Sequence, residues 1–249
     1  MKALLRAGGI FALSVLILMA GTVGYILISL PKVTPLTRKI PFPTALMRHR
    51  QETARLQKKR YRLSAHYIPI RTIPEKLQRC VILGEDAAFW VHGGIDWYEI
   101  RKSLWENLKK GRIARGGSTI TQQVAKNLYL SEKRTLYRKL QEYFLARRLE
   151  QTLSKKRILE IYLNIIELGP GLFGVDRASR YYFGKSVSQL SLPQMIELTA
   201  TIPSPLKDNP FRKTRRFLWR CGIIARRLHA YKVISDSVYT QLKVQFAYR

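Results

Sequence analysis

Residues 116–130 read GGSTITQQVAKNLYL: a glycine pair, a run of hydroxyls and amides, then apolar residues. Thr119 is followed three positions later by Gln122, the spacing of a capping box. In that motif a hydroxyl takes a free N–H of the first helical turn and the amide returns to the hydroxyl residue's own N–H. A helix is therefore predicted to start just after Thr119. Along it Thr119, Gln122, Gln123 and Lys126 stand at i, i+3, i+4 and i+7, so one face carries a hydroxyl, two amides and an ammonium. A helix N-terminus behind glycines attracts anions, Lys126 adds a full charge, and Arg134 follows in the next connection. A phosphate or pyrophosphate site needs this equipment. The G-x-x-x-x-G-K-[ST] order is absent, so it is not a P-loop. An ordinary polar helix face would read the same way, and the surrounding sequence has to decide.

Upstream, residues 75–90 (EKLQRCVILGEDAAFW) space their apolar residues as a helix does, which puts Glu85 and Asp86 near its end. Asp86, Phe89, His92 and Gly94 follow in the pattern E-D-x-x-F-x-x-H-x-G-x-D. Downstream, TLYRKLQEYFLARRLEQTL reads as a long amphipathic helix carrying Glu142. Two carboxylates on different helices could face one cleft, and a pair flanking a sugar bond is the usual equipment of glycosyl chemistry. Each also has a plain reading: Glu85 as a solvated helix end, Glu142 as a surface ion pair with Arg138 or Lys139 one turn back. No His or Cys cluster accompanies them, which speaks against a zinc-type cage.

The remaining helices follow from caps and periodicity. Trp97, Ile100, Leu104 and Leu108 share one face of a helix that Gly111 ends. Ser154 starts another, through KKRILEIYLNIIEL. GPGLFG is a turn or loop, Ser191 and Gln194 form a second capping box with proline in the first turn, and Asn209-Pro210 opens the last long, basic helix. A short strand is placed near HYIPIRTIP.

The chain has 249 residues, with 45 basic against 16 acidic side chains and a net charge of +29. Such an excess calls for a polyanionic partner: nucleic acid, an anionic membrane or a phosphate-bearing substrate. The basic residues are spread over many helices and no nucleic-acid-binding module is recognisable, so nucleic acid is set aside. The uncharged run from Gly8 to Leu30 is long enough as a helix, at ~1.5 Å per residue, to cross a bilayer. It exceeds a signal-peptide core, and LISLPKV lacks a small-residue cleavage site, so it reads as a retained anchor. Residues 1–7 are then a tail, 8–30 the anchor, 31–61 a proline-punctuated, basic juxtamembrane connector, and 62–249 a single domain. Lys32, Arg38, Lys39, Arg48 and Arg50 follow the span, and a positive-inside count would leave the domain in the cytoplasm. Cys80 and Cys221 read as two buried thiols rather than a disulfide.

Taken together, these stretches resemble the peptidoglycan glycosyltransferase family, glycosyltransferase family 51. EDAAFWVHGGID looks like the first motif, GGSTITQQVAKNLYL the second, and RKLQEYFLARRLE with SKKRILEIYLN the third. ELGPGLFGVDRASRYYFGKS and LSLPQMIELTATIPSPLKDNP look like the last two. The likeness runs from about residue 62 to 230, and the chain's end leaves no room for a transpeptidase domain, as in the monofunctional biosynthetic type. LPQMIELTA and SKKR depart from the usual acidic patterns of their motifs, away from the expected chemistry.

The resemblance implies an all-α, lysozyme-like domain on a single N-terminal transmembrane helix. The implied reaction is polymerisation of lipid II into β-1,4 glycan with release of undecaprenyl pyrophosphate. Glu85 would be the general base, with Asp86, Phe89, His92 and Gly94 shaping its surroundings. Glu142 would assist the pyrophosphate end or a bound cation. Arg101, Ser118, Gln122, Gln123, Lys126 and Arg134 would line the phosphate-binding cleft. No cofactor is required, although a divalent cation such as Mg could sit near Glu142. The implied place is the cytoplasmic membrane with the domain on its outer side, against the charge count. Lipid II, the growing strand, anionic lipid and other cell-wall synthesis proteins would be the partners. Trp97 and Trp105 among basic residues would suit an interfacial segment. A lysozyme-like hydrolase would not need the Lys126/Arg134 site, and a silent polyanion binder would not need Glu85 and Glu142.

Overall fold

The computed structural model describes residues 2–111, 117–133 and 135–247. Helix α1 (Lys2–Ser29) is followed by α2 (Ala45–Leu56), strand β1 (Ser64–Ala65), α3 (Glu75–Glu85), α4 (Trp97–Lys110), α5 (Ile120–Tyr129) and α6 (Leu136–Thr152). Then come α7 (Lys155–Ile165), strands β2 (Glu167–Gly169) and β3 (Leu172–Phe173), α8 (Val175–Phe183), α9 (Leu192–Thr201), α10 (Arg215–Ala230) and α11 (Asp236–Gln245). The fold is mostly helical. It departs from an all-α reading in one place: β2 and β3 pair antiparallel, and β1 joins β3 in parallel. GPGLFG is therefore the tip of a hairpin. β1 lies just ahead of the HYIPIRTIP stretch, where residues 70–72 form a 3-10 turn instead.

Helix α5 is the hub. Ile120, Val124, Ala125 and Leu128 are buried, and the helix packs against α2, α6 and α7. Helix α3 buries Leu77, Cys80, Val81, Ile82 and Leu83 against α9 and α10. Each such leucine or isoleucine contributes about 1.5–3 kcal/mol by leaving water. Gly84 permits the close approach of α3 to α9, since a Cβ there would stand 2.8 Å from Thr199 Cγ2. One core runs from Ile26 and Leu30 at the end of α1 to Leu242 and Phe246 at the end of α11. Cys80 and Cys221 are both buried and free.

Both capping boxes read from the sequence form, Thr119 with Gln122 and Ser191 with Gln194. Ser154 caps α7, and Gly111 ends α4 in the left-handed conformation at φ 57°. The last basic helix starts later than Asn209-Pro210, because Thr214 Oγ1 accepts from Phe217 N and sets the first turn there. Residues 31–61 carry more structure than a connector: α2 packs on α5, and Leu46 and Met47 pack against Phe173.

Two apolar surfaces face outward. On α4, Leu104, Trp105 and Leu108 are each about two-thirds exposed, so the stripe predicted there does not face the core. On α1, Leu16, Leu18 and Ile28 are exposed, the last by 87%. The side chains described on α1 run unbroken only over 13–29, and among the described residues no helix is long and apolar enough to cross a membrane. The end of α1 is held to the domain: Arg148 of α6 donates to the carbonyls of Leu27, Leu30 and Pro31.

Candidate active site

Helix α3 ends at Glu85 because Asp86 is committed elsewhere. One Asp86 oxygen accepts from the backbone N–H of Ile120, at the start of α5, at 2.9 Å. The other faces His92 Nε2 at 2.9 Å. Gly94 N donates to His92 Nδ1, which leaves the ring proton on Nε2 and aimed at Asp86. Thr119 Oγ1 completes the link by donating to Gly94 O at 2.7 Å. Gly94 has φ +92°, and a Cβ there would come within 2.9 Å of Glu150 and 3.1 Å of the Ala146 carbonyl. Only glycine fits. The loop after α3 and the start of α5 are thus one hydrogen-bonded unit, and Phe89 is buried beneath it with Lys155 over its ring.

Glu85 projects from the edge of that unit, with its side chain 11% exposed. Gln123 Nε2 donates to Glu85 Oε2 at 3.0 Å, and Gln123 Oε1 accepts from Tyr162 at 3.0 Å, which fixes the direction of the amide. The nearest cation among the described residues is Arg220 of α10, 3.7 Å from Oε1. Arg227, two turns on, is turned to the carbonyls of Leu83 and Gly84. Burial pushes the Glu85 carboxyl above the usual carboxylate range. The Gln123 hydrogen bond and the charges of Arg220 and Arg227 pull the other way, and Asp86 adds to the rise. A carboxylate so placed is a proton acceptor poised nearer neutral pH than an exposed one.

One turn along α5, Lys126 is half-buried, and desolvation lowers its pKa against the pull of Glu142 and Glu132. Its Nζ has no ion pair or hydrogen bond among the described residues, although the charges of Glu132, Glu142 and Glu167 all reach it. Glu142 is buried, with Arg138 Nη1 at 2.5 Å from one oxygen and Lys139 Nζ bonded to the other. Lys139 also reaches Ser118 Oγ at 3.3 Å. Two buried guanidinium N–H groups, Arg138 Nε and Arg220 Nε, have no partner among the described residues. Buried donors of this kind are costly unless something binds them, and an anion would.

The structure thus brings together Glu85, Gln123, Lys126, Glu142 and Ser118 along α5 and its neighbours. Gln122 is turned inward, and its Oε1 accepts from Thr119 N in the cap. Arg101 is exposed on α4 and makes no hydrogen bond or ion pair with the described residues of the site. Arg134 and Gly116 lie outside the described residues. Sequence reasoning missed Arg220 and Tyr162, and it named Lys139 only as an ion-pair partner of Glu142. For Arg220 a signal existed: it neighbours Cys221 and Ile224, which are buried, so part of the basic helix had to turn its charge inward. Both oxygens of Glu142 are engaged, one by Arg138 and the other by Lys139.

Residues 50–229 match the family model described as Transglycosylase. The chain is 46% identical over 187 residues to a biosynthetic peptidoglycan transglycosylase of Nitrosospira multiformis, covering 72% of this chain and 81% of that protein. A protein of the same name from Methylobacillus flagellatus is 44% identical over 171 residues, covering 69% of this chain and 75% of its own length. Penicillin-binding protein 1A of Aquifex aeolicus is 43% identical over 175 residues, 70% of this chain but 24% of that longer protein.

Proposed function

The chain belongs to the transglycosylase family and is a glycosyltransferase of peptidoglycan synthesis, and from that premise we propose that it polymerises lipid II through Glu85. The observation that carries the proposal is the setting of Glu85: buried enough to raise its affinity for a proton, oriented by Gln123, and with no cation among the described residues closer than 3.7 Å. The 4-hydroxyl of the acceptor sugar gives its proton to Glu85 as its oxygen attacks the anomeric carbon of the donor. The bond from that carbon to the pyrophosphate oxygen breaks, and undecaprenyl pyrophosphate leaves. Attack from the opposite face turns an α-linked donor into a β-1,4 bond.

Charge develops on the leaving pyrophosphate, and fixed cations stabilise it most where they need no reorganisation. Among the described residues Lys126 supplies an ammonium not spent on a carboxylate, and Arg138 and Arg220 each supply a buried N–H donor without a partner. Glu142 serves by holding Arg138 and Lys139 in place rather than by binding a metal. Asp86, Phe89, His92 and Gly94 shape the loop, while Ser118 and Gln123 line the cleft. Gln122 acts through the cap of α5, and Arg101 and Arg134 serve the substrate phosphates.

Residues 8–30 are the retained anchor, after a tail at 1–7, with 31–61 bridging to the domain at 62–249. Support comes from the 28-residue length of α1, ~42 Å at ~1.5 Å per residue, and from its exposed leucines and isoleucines. The apolar face of α4, with Lys102 and Lys109 over Tyr98 and Trp105, would rest in the bilayer interface where anionic lipid meets the +29 charge. The domain works outside the cytoplasmic membrane.

Purified full-length protein incubated with lipid II tests the reading. Long glycan strands and free undecaprenyl pyrophosphate are expected. Soluble fragments from preformed glycan would make it a hydrolase, and neither product would leave it a binder.

A further inference from the structure

Lys126 stands among three carboxylates, yet none takes its ammonium. Glu142 is occupied by Arg138 and Lys139. The other two are held by a single side chain from the stretch that reads as a connector, Arg50 of α2. Its Nη1 donates to Glu132 at 2.9 Å, its Nε to both oxygens of Glu167 at 2.9 and 3.1 Å, and its Nη2 to Glu167 at 2.8 Å. His49, the preceding residue, also faces Glu132 at 3.3 Å. The Glu167 side chain is only 6% exposed, so its charge depends on a cation being present. Lys126 is the other cation whose charge reaches it, and the charge of Glu132 reaches Lys126 as well. Were Arg50 absent, the charge of Lys126 would still reach both carboxylates.

We propose that Arg50 is a positioning residue for the anion site, holding Glu132 and Glu167 so that the Lys126 ammonium stays free for the pyrophosphate of the substrate. The proposal rests on the reading of Lys126 as a phosphate contact. Arg50 itself touches no reacting atom. Its geometry suits the task, because the planar fork spans two carboxylates on different elements, one on β2 and one in the connection after α5.

The test compares kcat/KM for lipid II, with melting temperatures alongside, in four forms of the full chain: the parent, Arg50→Gln, the triple variant Arg50→Gln/Glu132→Gln/Glu167→Gln, and Lys126→Gln. Arg50→Gln is expected to lower kcat/KM at least about tenfold, the loss of one charge-assisted phosphate contact. The triple variant, which still lacks Arg50, is expected to return within about threefold of the parent. A purely structural or substrate-contacting Arg50 would not be rescued by neutralising its partners, so a triple variant as poor as Arg50→Gln overturns the proposal. An unchanged kcat/KM in Arg50→Gln overturns it too. If Arg50→Gln fails to fold, the triple variant decides alone, since it buries no unpaired carboxylate from this cluster. Lys126→Gln at full activity would remove the phosphate reading and the proposal with it, whereas an impaired Lys126→Gln beside an unaffected Arg50→Gln removes only the proposal.

Discussion

At the end of α3, among the described residues, Glu85 accepts one neutral hydrogen bond, from Gln123, and its nearest cation stands 3.7 Å away. In the first half of α6, Glu142 has a guanidinium on one oxygen and an ammonium on the other. Both are glutamates on helices beside α5, and both are largely withdrawn from water. Their surroundings divide the work. A carboxylate whose ionised form is poorly compensated takes up a proton readily, whereas one bound by two cations keeps its charge and fixes the cations. Beside a carboxylate pair facing one cleft, the sequence offered a plain reading of each: a surface ion pair for Glu142 and a solvated helix end for Glu85. The ion pair exists, but it is buried. The helix end exists too, but it is not solvated.

The sharpest way to break this division is Glu85→Gln. The amide keeps the shape and can still hydrogen-bond the acceptor, but it cannot accept the proton. General-base catalysis is worth ~10²–10⁴ in rate, so turnover of lipid II should fall at least about a hundredfold with binding nearly unchanged. Turnover within about tenfold of the parent would remove Glu85 as the base and make Asp86 the next candidate. Since Asp86 already serves His92 and Ile120 N, Asp86→Asn should instead be read out first as loss of stability.

Lys126→Ala should follow in size. Losing a charge-assisted contact to phosphate costs roughly 1.5–3 kcal/mol, or about 10–100-fold in kcat/KM. Because Nζ makes no ion pair among the described residues, the melting temperature should hardly move. A large drop in melting temperature with unchanged turnover would make Lys126 a structural residue.

For Glu142→Gln the expected balance is reversed. Removing one member of a buried ion pair costs about 3–5 kcal/mol, and in a chain of this size each kcal/mol lowers the melting temperature by roughly 2–4 °C. Turnover of the protein that remains folded should suffer less than in Glu85→Gln. A hundredfold loss of turnover with an unchanged melting temperature would place Glu142 in the chemistry itself.

What the sequence disclosed depended on how far apart the partners lie. The caps of α5, α7 and α9 and the end of α3 are set within a few residues, and each was legible. So was the likeness of the motifs, which placed Glu85 and Gln123 in one cleft. The role of α2 was not legible. RHRQETARLQKKR buries a single apolar side chain, Ala54, and Arg50 finds its carboxylates 82 and 117 positions downstream. Arg220 escaped notice because its helix carries arginines at many positions, and only the packing of α10 on α3 shows which of them faces Glu85. For α4, period and caps foretold the helix, but nothing in them said that its apolar side would stay outside.

The smallest expected effect is the most specific to Glu85. Because burial raises its pKa in the folded protein, the base is lost as pH falls through a value above the usual carboxylate range, and the acid limb of the pH–rate profile should lie there. Linkage gives the matching sign for stability. A carboxyl with a raised folded pKa binds its proton more tightly in the native than in the unfolded state. Its contribution is therefore fully present below the unfolded pKa and is lost as pH rises through the folded one. Glu85→Gln should accordingly melt higher than the parent at neutral pH, with the difference vanishing in acid. Arg220 is one of the charges that hold the pKa down. Arg220→Gln should move the acid limb further up, whatever it also does to kcat through the buried N–H it offers. An acid limb that stays in place would show that the 3.7 Å separation is too long for Arg220 to tune the base, and Gln123 would then be its main counterweight.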